Sequence, residues 1–180
     1  MRWNWTQPDW PNFRYDSAAV EALERRFLLS SGEIVGAVRH VTSDERDRLR
    51  IELLSEEAMR TSAIEGEVLD RASVQSSLRR QFGLTADGAP SRPREQGVAE
   101  MMVDVYSTYA APLTHETLSR WHGMLLAHDR GLETIGAYRR HADAMQIVSG
   151  RIDRPTVHFE APPSAQVQGE MDVFVDWFNR

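Results

Sequence analysis

TSDERDRLRIELLSEEAMRTSAIEGE, residues 42–67, decides how the chain folds. Its opening is a capping box: the Thr42 hydroxyl can accept from the amide of Glu45, and the Glu45 carboxylate can reach back to the amide of Thr42. The spacing predicts a helix from there to about Ser62, with Leu49, Leu53, Leu54 and Ala58 at the 3.6-residue period. Arg46, Arg48, Arg50, Glu52, Glu56 and Glu57 solvate much of the remainder. The helix then runs through Thr61 and Ser62 into Ile64-Glu65-Gly66. A helix C-terminus carries partial negative charge, so Glu65 sits where local electrostatics do not favour a carboxylate. It calls for a cationic partner elsewhere; the alternatives are a plain exposed glutamate or an ordinary ion pair.

Toward the N-terminus, Trp3, Trp5, Trp10, Phe13 and Tyr15 are interrupted by Pro8 and Pro11, which predicts an extended aromatic segment closing as a flap over a helical core. The other reading of the same residues is a peptide-binding groove. A helix is expected from Asp16 or Ser17, with Val20, Leu23, Phe27 and Leu28 on one face, stopping near Ser30-Ser31-Gly32. A short element through Ile34, Val35 and Val38 follows.

Beyond Gly66, a helix over about Leu69 to Phe82 presents Val74, Leu78 and Phe82 and ends at Gly83 as a left-handed cap. Residues 83–97 are rich in glycine and proline and are expected to be a linker, so the predicted organisation is 1–82, linker 83–97, and 98–180. Val98, Met101, Met102, Val105, Tyr106 and Tyr109 mark the next helix. Thr114 caps another, with Leu118, Trp121 and Leu125 inward. Residues 145–149 and 156–159 flank a Gly150–Pro155 turn, a hairpin pattern in an otherwise helical chain. After Pro162-Pro163-Ser164 a last helix carries Val167, Met171, Phe174, Val175 and Phe178. The fold class is therefore mainly α with one β-hairpin and an aromatic-rich N-terminal extension.

Composition narrows the chemistry. The chain has 180 residues, 41% hydrophobic and 27% charged, and no cysteine, so disulfides, thiolate nucleophiles and cysteine metal sites are impossible. All 21 basic residues are arginine, which excludes a phosphate-loop lysine. A net charge of −6 gives no footprint for nucleic acid. No stretch approaches the roughly 18 apolar residues of a membrane span. Met1-Arg2-Trp3-Asn4-Trp5-Thr6 lacks a secretory apolar run, so a cytoplasmic protein is expected. The six histidines show no His-x-x-x-His spacing, although His115 and His122 can share a helix face; no metal ligand is assigned. No Gly-x-Ser-x-Gly elbow occurs, and no catalytic residue is assigned in this chain.

Thr61-x-x-x-Glu65-Gly66 resembles the inhibitory motif Ser/Thr-x-x-x-Glu-Gly/Asn of the Fic family, helical enzymes that transfer AMP from ATP to protein hydroxyls. Its surroundings are similar too: Trp3-x-Trp5, Asp9-Trp10-Pro11-x-Phe13 and Tyr15-Asp16 resemble the N-terminal segment of one Fic subgroup. The run TSAIEGEVL, residues 61–69, resembles that subgroup's inhibitory helix end. Gly136-Ala137-Tyr138-Arg139, Gln146-Ile147-Val148, Phe159-Glu160-Ala161-Pro162-Pro163 and Met171 through Asp176-Trp177-Phe178-Asn179 resemble the Fic core up to the helix before its active site. The family's signature, His-x-Phe-x-Asp/Glu-Gly-Asn-Gly-Arg, is not in these residues and is expected soon after Arg180.

The resemblance implies a Fic-like helical bundle whose cofactors are ATP and Mg²⁺, bound by that signature, and a chain that is inactive alone. It implies that Glu65 pairs with the signature's later arginine and occupies the space of the γ-phosphate, or in some members orients a water that removes AMP. Thr61 or Ser62 caps or anchors the helix end, with Gly66 behind Glu65. The hairpin is the flap, with Gln146, Ile147 and Val148 docking the target protein by main-chain pairing. Pairing of family members through helical surfaces implies a possible homodimer. The alternative is a stand-alone module that lends Glu65 to a separate Fic enzyme in trans.

Overall fold

The computed structural model describes residues 3–12, 14–86, 88–151 and 153–180. Phe13 of the aromatic segment, Asp87 of the expected linker and Ile152 of the hairpin turn lie outside the described residues. The elements are α1 (Ser17–Val38), α2 (Ser43–Ile64), α3 (Arg71–Gln81), α4 (Pro93–Thr108), α5 (His115–Leu126), β1 (Gln146–Arg151), β2 (Arg154–Glu160) and α6 (Ser164–Phe178). The protein is mainly helical with one antiparallel hairpin, as expected. No helix of the described residues is long and apolar enough to cross a membrane. Packing divides the chain into two units, Met1–Arg46 with Ala142–Pro163, and Asp47–His141 with Ser164–Arg180.

In the first unit α1 begins where Asp16 accepts from the Ala18 amide at 3.0 Å. It does not stop at Ser30-Ser31-Gly32, as the sequence suggested, but continues to Val38. Gly32 is absent from the positive-φ glycines, so it serves as an interior residue at a cost of about 1 kcal/mol, not as a terminator. The aromatic segment is not wholly extended. It contains a short 3₁₀ turn (Asn4–Thr6), and it contacts the hairpin: Trp3 meets the Phe159 ring edge-on at 5.8 Å, and Trp5 Nε1 donates to the Glu160 carbonyl at 2.7 Å. A buried indole N–H needs an acceptor, and the end of β2 supplies one.

In the second unit the core joins Ile51 and Ala58 of α2, Leu69, Val74 and Leu78 of or beside α3, and Val98 and Ala99 of α4. Val74 and Leu78 are buried as predicted. The face of α2 agrees with expectation at Ala58, which is buried, and at Leu54, which packs against the core, but differs elsewhere: Ile51 and Ser55 are buried, while Leu49 and Leu53 are exposed. Both rows obey the helical period, and the row with small Ser55 and Ala58 allows the neighbouring backbones to come close. Residues 83–97 are not all loop. Pro93 occupies the start of α4, where its missing N–H costs nothing, and Glu95 and Gly97 are buried.

Two features join α4 to α5. At Gly97 a Cβ would overlap the carbonyl oxygen of Met124. Asp104 Oδ2 accepts from Arg120 Nη2 and from Trp121 Nε1, both at 2.7 Å. The Arg120 hydrogen bond lowers the Asp104 carboxyl below the usual range, burial opposes this, and the indole adds to the lowering. A carboxyl held low in the folded state contributes stability above its unfolded value of about 4, lost as pH falls through the lower folded value.

Gly97→Ala should therefore cost about 1–3 kcal/mol, read as a lower urea midpoint. Asp104→Asn should cost about 1–2 kcal/mol at pH 7, with the gap to wild type narrowing below about pH 4 in the same measurement.

Candidate functional site at the end of helix α2

The carboxyl end of α2 is closed by a pattern written in its own backbone. Glu67 N–H donates to the Ser62 carbonyl at 2.8 Å, Gly66 N–H to Ala63 at 3.1 Å, and Gly66 has φ +78°. This is a Schellman closure, which needs a left-handed residue that glycine supplies without strain. Glu65 is the last residue before that turn and is exposed. The Thr61 carbonyl accepts from its amide at 3.4 Å, while the Thr61 hydroxyl donates to Glu57 Oε1 at 3.1 Å. Thr61 and Ser62 thus anchor the helix end chiefly through their carbonyls.

Thr61, Ser62 and Glu65 line one cavity of about 460 Å³. Its floor includes Ala58, Leu69, Val98, Met102 and Leu125; its polar rim adds Glu67, Arg94, His128 and Asp129. Gly66 shapes the turn behind it. Neither Glu67 nor Arg94 has a role in the sequence reading, yet they form an ion pair across the rim. Arg94 was hidden inside the expected linker, and only the early start of α4 brings it to the cavity. Its neighbour Glu95 accepts from the Asp70 amide at 3.1 Å, and Asp70 caps α3 by accepting from Ser73 N–H at 2.8 Å. The connection from α2 to α3 is therefore tied to the first turn of α4 by two adjacent side chains, with Leu69 buried between the ties.

The cationic partner that helix electrostatics calls for at Glu65 is not formed: among the described residues Glu65 makes no ion pair. Farther up α2, Arg71 at the start of α3 bridges Glu52 and Glu56. Hydrogen bonds from Arg60 and then Arg71 lower the Glu56 carboxyl. The Glu52 and Glu56 charges on α2 are thus neutralised, whereas Glu65 and Asp129 line the cavity without an ion pair among the described residues.

A second polar cluster in this unit holds the 136–138 segment to α5. His122 Nδ1 accepts from the Gly136 amide at 2.8 Å. His115 Nδ1 lies 2.8 Å from the Tyr138 hydroxyl, and its Nε2 lies 3.0 Å from Asp172 Oδ1 of α6. Burial and then the charges of Asp172 and Glu116 raise the Tyr138 hydroxyl. Both His115 nitrogens are engaged, so the cluster positions structure and leaves no free base. No group of histidines and carboxylates among the described residues is placed to hold a metal ion.

Gln146, Ile147 and Val148 belong to the other unit, on β1. Gln146 Nε2 donates to Glu160 Oε2 at 2.7 Å, and Ile147 and Val148 are 62% and 50% exposed. Ile147 pairs with Phe159 and Val148 with Val157, so His158 is the extra residue of a bulge. Its Nε2 lies 2.6 Å from Ser149 Oγ. The hairpin is the whole sheet, and β1 is exposed along its length.

The fold and site together define a mainly helical protein in which a carboxylate without an ion pair among the described residues lines a largely apolar cavity. Residues 3–84 are similar to a family described as a domain of unknown function (DUF4172), a match that runs from Trp3 through α1, α2 and α3 to Leu84. No curated protein matches the chain.

Removing the rim ion pair should loosen the turn without unfolding it. In Arg94→Met, hydrogen exchange at the Glu67 amide should quicken by at most about fivefold, as a partly exposed pair worth about 1 kcal/mol or less allows. The Asp70 amide, held by Glu95, should exchange as in wild type.

Proposed function

We propose that this chain is the regulatory and flap-bearing part of a self-inhibited Fic-type AMP transferase. Glu65 is its brake: the carboxylate takes the guanidinium that would otherwise hold the γ-phosphate of ATP, so the nucleotide binds unproductively. The observation that carries the reading is Glu65 itself, free of any ion pair among the described residues at the lip of a cavity, while its neighbour Glu67 is occupied by Arg94. A bidentate arginine–carboxylate pair is directional and charge-assisted, so the carboxylate can compete with a phosphate for the same guanidinium.

In the reaction proposed, the target hydroxyl oxygen bonds to the α-phosphorus of ATP, the bond to the bridging oxygen breaks, and pyrophosphate leaves. The hydroxyl proton passes to the histidine of the signature expected after Arg180. Mg²⁺ supplies charge neutralisation on the phosphates and is assigned to that signature. This chain's part is to set Glu65 at the end of α2 and to offer the exposed strand β1 to a target segment, with Ile147 and Val148 as contacts. The reading takes the protein to act in the cytoplasm, where ATP and protein targets are both present. In members where the same carboxylate orients water, removal of AMP is the companion activity.

That the family match takes in Glu65 and stops at residue 84 favours a second reading, in which the segment acts as a separable module inhibiting another Fic enzyme in trans.

In a protein that carries this chain together with the signature, Glu65→Gly should raise incorporation of α-labelled AMP into protein at least tenfold. Unchanged incorporation rejects Glu65 as the brake. Inhibition of a separate, signature-bearing enzyme by the added 180-residue chain, lost in Glu65→Gly, selects the module reading.

A further inference from the structure

The hairpin is the whole sheet, and an isolated two-stranded hairpin is marginally stable at best in water. Here the bulge at His158 also interrupts the register between Ile147 and Val148, which disrupts the ladder locally. Helix α1 of the same unit makes no extended contact with either strand. Support comes instead from the N-terminal segment of that unit.

We propose that Trp3 and Trp5 are positioning residues for target docking: they clamp the base of the hairpin and hold strand β1 extended, ready to pair with a target segment. The inference rests on the reading that β1 docks the target, and it assigns the shape of that strand to two residues outside the hairpin.

The clamp is built by local hydrogen bonds. Three donors converge on the Trp3 carbonyl: the Thr6 amide at 3.1 Å, Thr6 Oγ1 at 2.7 Å and Gln7 Nε2 at 3.3 Å. Asn4 Oδ1 accepts from the Trp5 amide at 2.9 Å, and the Asn4 carbonyl accepts from the Gln7 amide at 3.0 Å. The 3₁₀ turn is thus tied on both sides of Trp5, and its two half-buried indoles keep a fixed spacing. They land on consecutive residues of β2. Trp3 meets the Phe159 ring, and the Trp5 N–H takes the Glu160 carbonyl.

Strand β2 passes the constraint to β1. Phe159 lies opposite Ile147 and Glu160 opposite Gln146, the first two residues of the docking strand. Gln146 Nε2 donates to Glu160 Oε2 at 2.7 Å, and beside it the Ala161 amide donates to the Met145 carbonyl at 2.9 Å. Neither tryptophan contact falls on β1, so an added strand competes with neither of them. A strand ordered only as its target arrives loses affinity to conformational entropy, residue by residue, whereas a strand already held extended does not.

Two measurements test this. In the 180-residue chain, Trp3→Ala and Trp5→Ala should each speed hydrogen exchange at the Ala161 amide at least tenfold, while the Leu78 amide of α3 exchanges as in wild type. Trp3→Phe should restore protection, because the edge-on contact needs only an aromatic ring. Trp5→Phe should not, because it has no N–H for the Glu160 carbonyl. In the signature-bearing protein released by Glu65→Gly, the same alanine variants should lower incorporation of α-labelled AMP into added lysate protein at least tenfold, with the KM for ATP unchanged within twofold and Trp3→Phe again restoring it. Wild-type exchange in both alanine variants overturns the proposal. So does full protection in Trp5→Phe, or faster exchange with undiminished incorporation. If Glu65→Gly alone incorporates no AMP, the transfer reading fails and the docking role fails with it, whatever the exchange shows; loss of the docking role alone leaves that incorporation intact in every variant.

Discussion

Helix α3 has two large apolar side chains on its buried side, Val74 and Leu78, and both are wholly enclosed in a core shared with Ile51 and Ala58 of α2 and Val98 and Ala99 of α4. The same helix buries Ser73, Ser76 and Ser77. A buried hydroxyl without a partner costs about 1–3 kcal/mol, and each of these finds one in the segment before α4. Ser73 Oγ accepts from Arg92 N–H, Ser76 donates to the Ala89 carbonyl, and Ser77 bonds to Ser91. The glycine- and proline-rich stretch that looks like a free tether is thus the polar wall of α3. Where α3 is held, the end of α2 and the start of α4 are held with it.

That arrangement explains why two glutamates one residue apart have different surroundings. The positive φ of Gly66 reverses the chain direction between them. Glu67, past the turn, meets Arg94 on the first turn of α4. Glu65, before it, lies at the end of α2 and lines the cavity with no ion pair among the described residues. A carboxylate at a helix C-terminus is mildly disfavoured by the backbone dipoles, and an incoming cation would relieve that. The lip therefore sets a carboxylate above an apolar floor.

Local signals were readable because their physics is local. The capping box forms with Thr42 N–H donating to Glu45 Oε2 at 3.0 Å, Thr114 accepts from the Thr117 amide, and Gly66 and Gly83 take left-handed conformations. Each involves atoms within a few residues, so neighbours in sequence suffice to predict it. The hairpin was legible for the same reason, although its strands run to Arg151 and from Arg154. The readings that failed concern choices between locally equivalent options: whether a glycine ends α1 or lies within it, which apolar row of α2 turns inward, and whether Pro93 belongs to a loop or opens a helix.

By itself, then, the sequence determined the helical class, the capped ends and the location of Glu65 at the close of α2, since hydrogen-bonding rules and side-chain period act over one or two turns. Only the tertiary structure decided that Ile51 and Ser55 face the core while Leu53 does not, that the Trp3 and Trp5 side chains seek the hairpin, and that Arg94 takes Glu67 and not Glu65. Those outcomes depend on contacts between residues far apart in the chain, whose relative energies are set by close packing and by pairing of buried polar groups that no short stretch encodes.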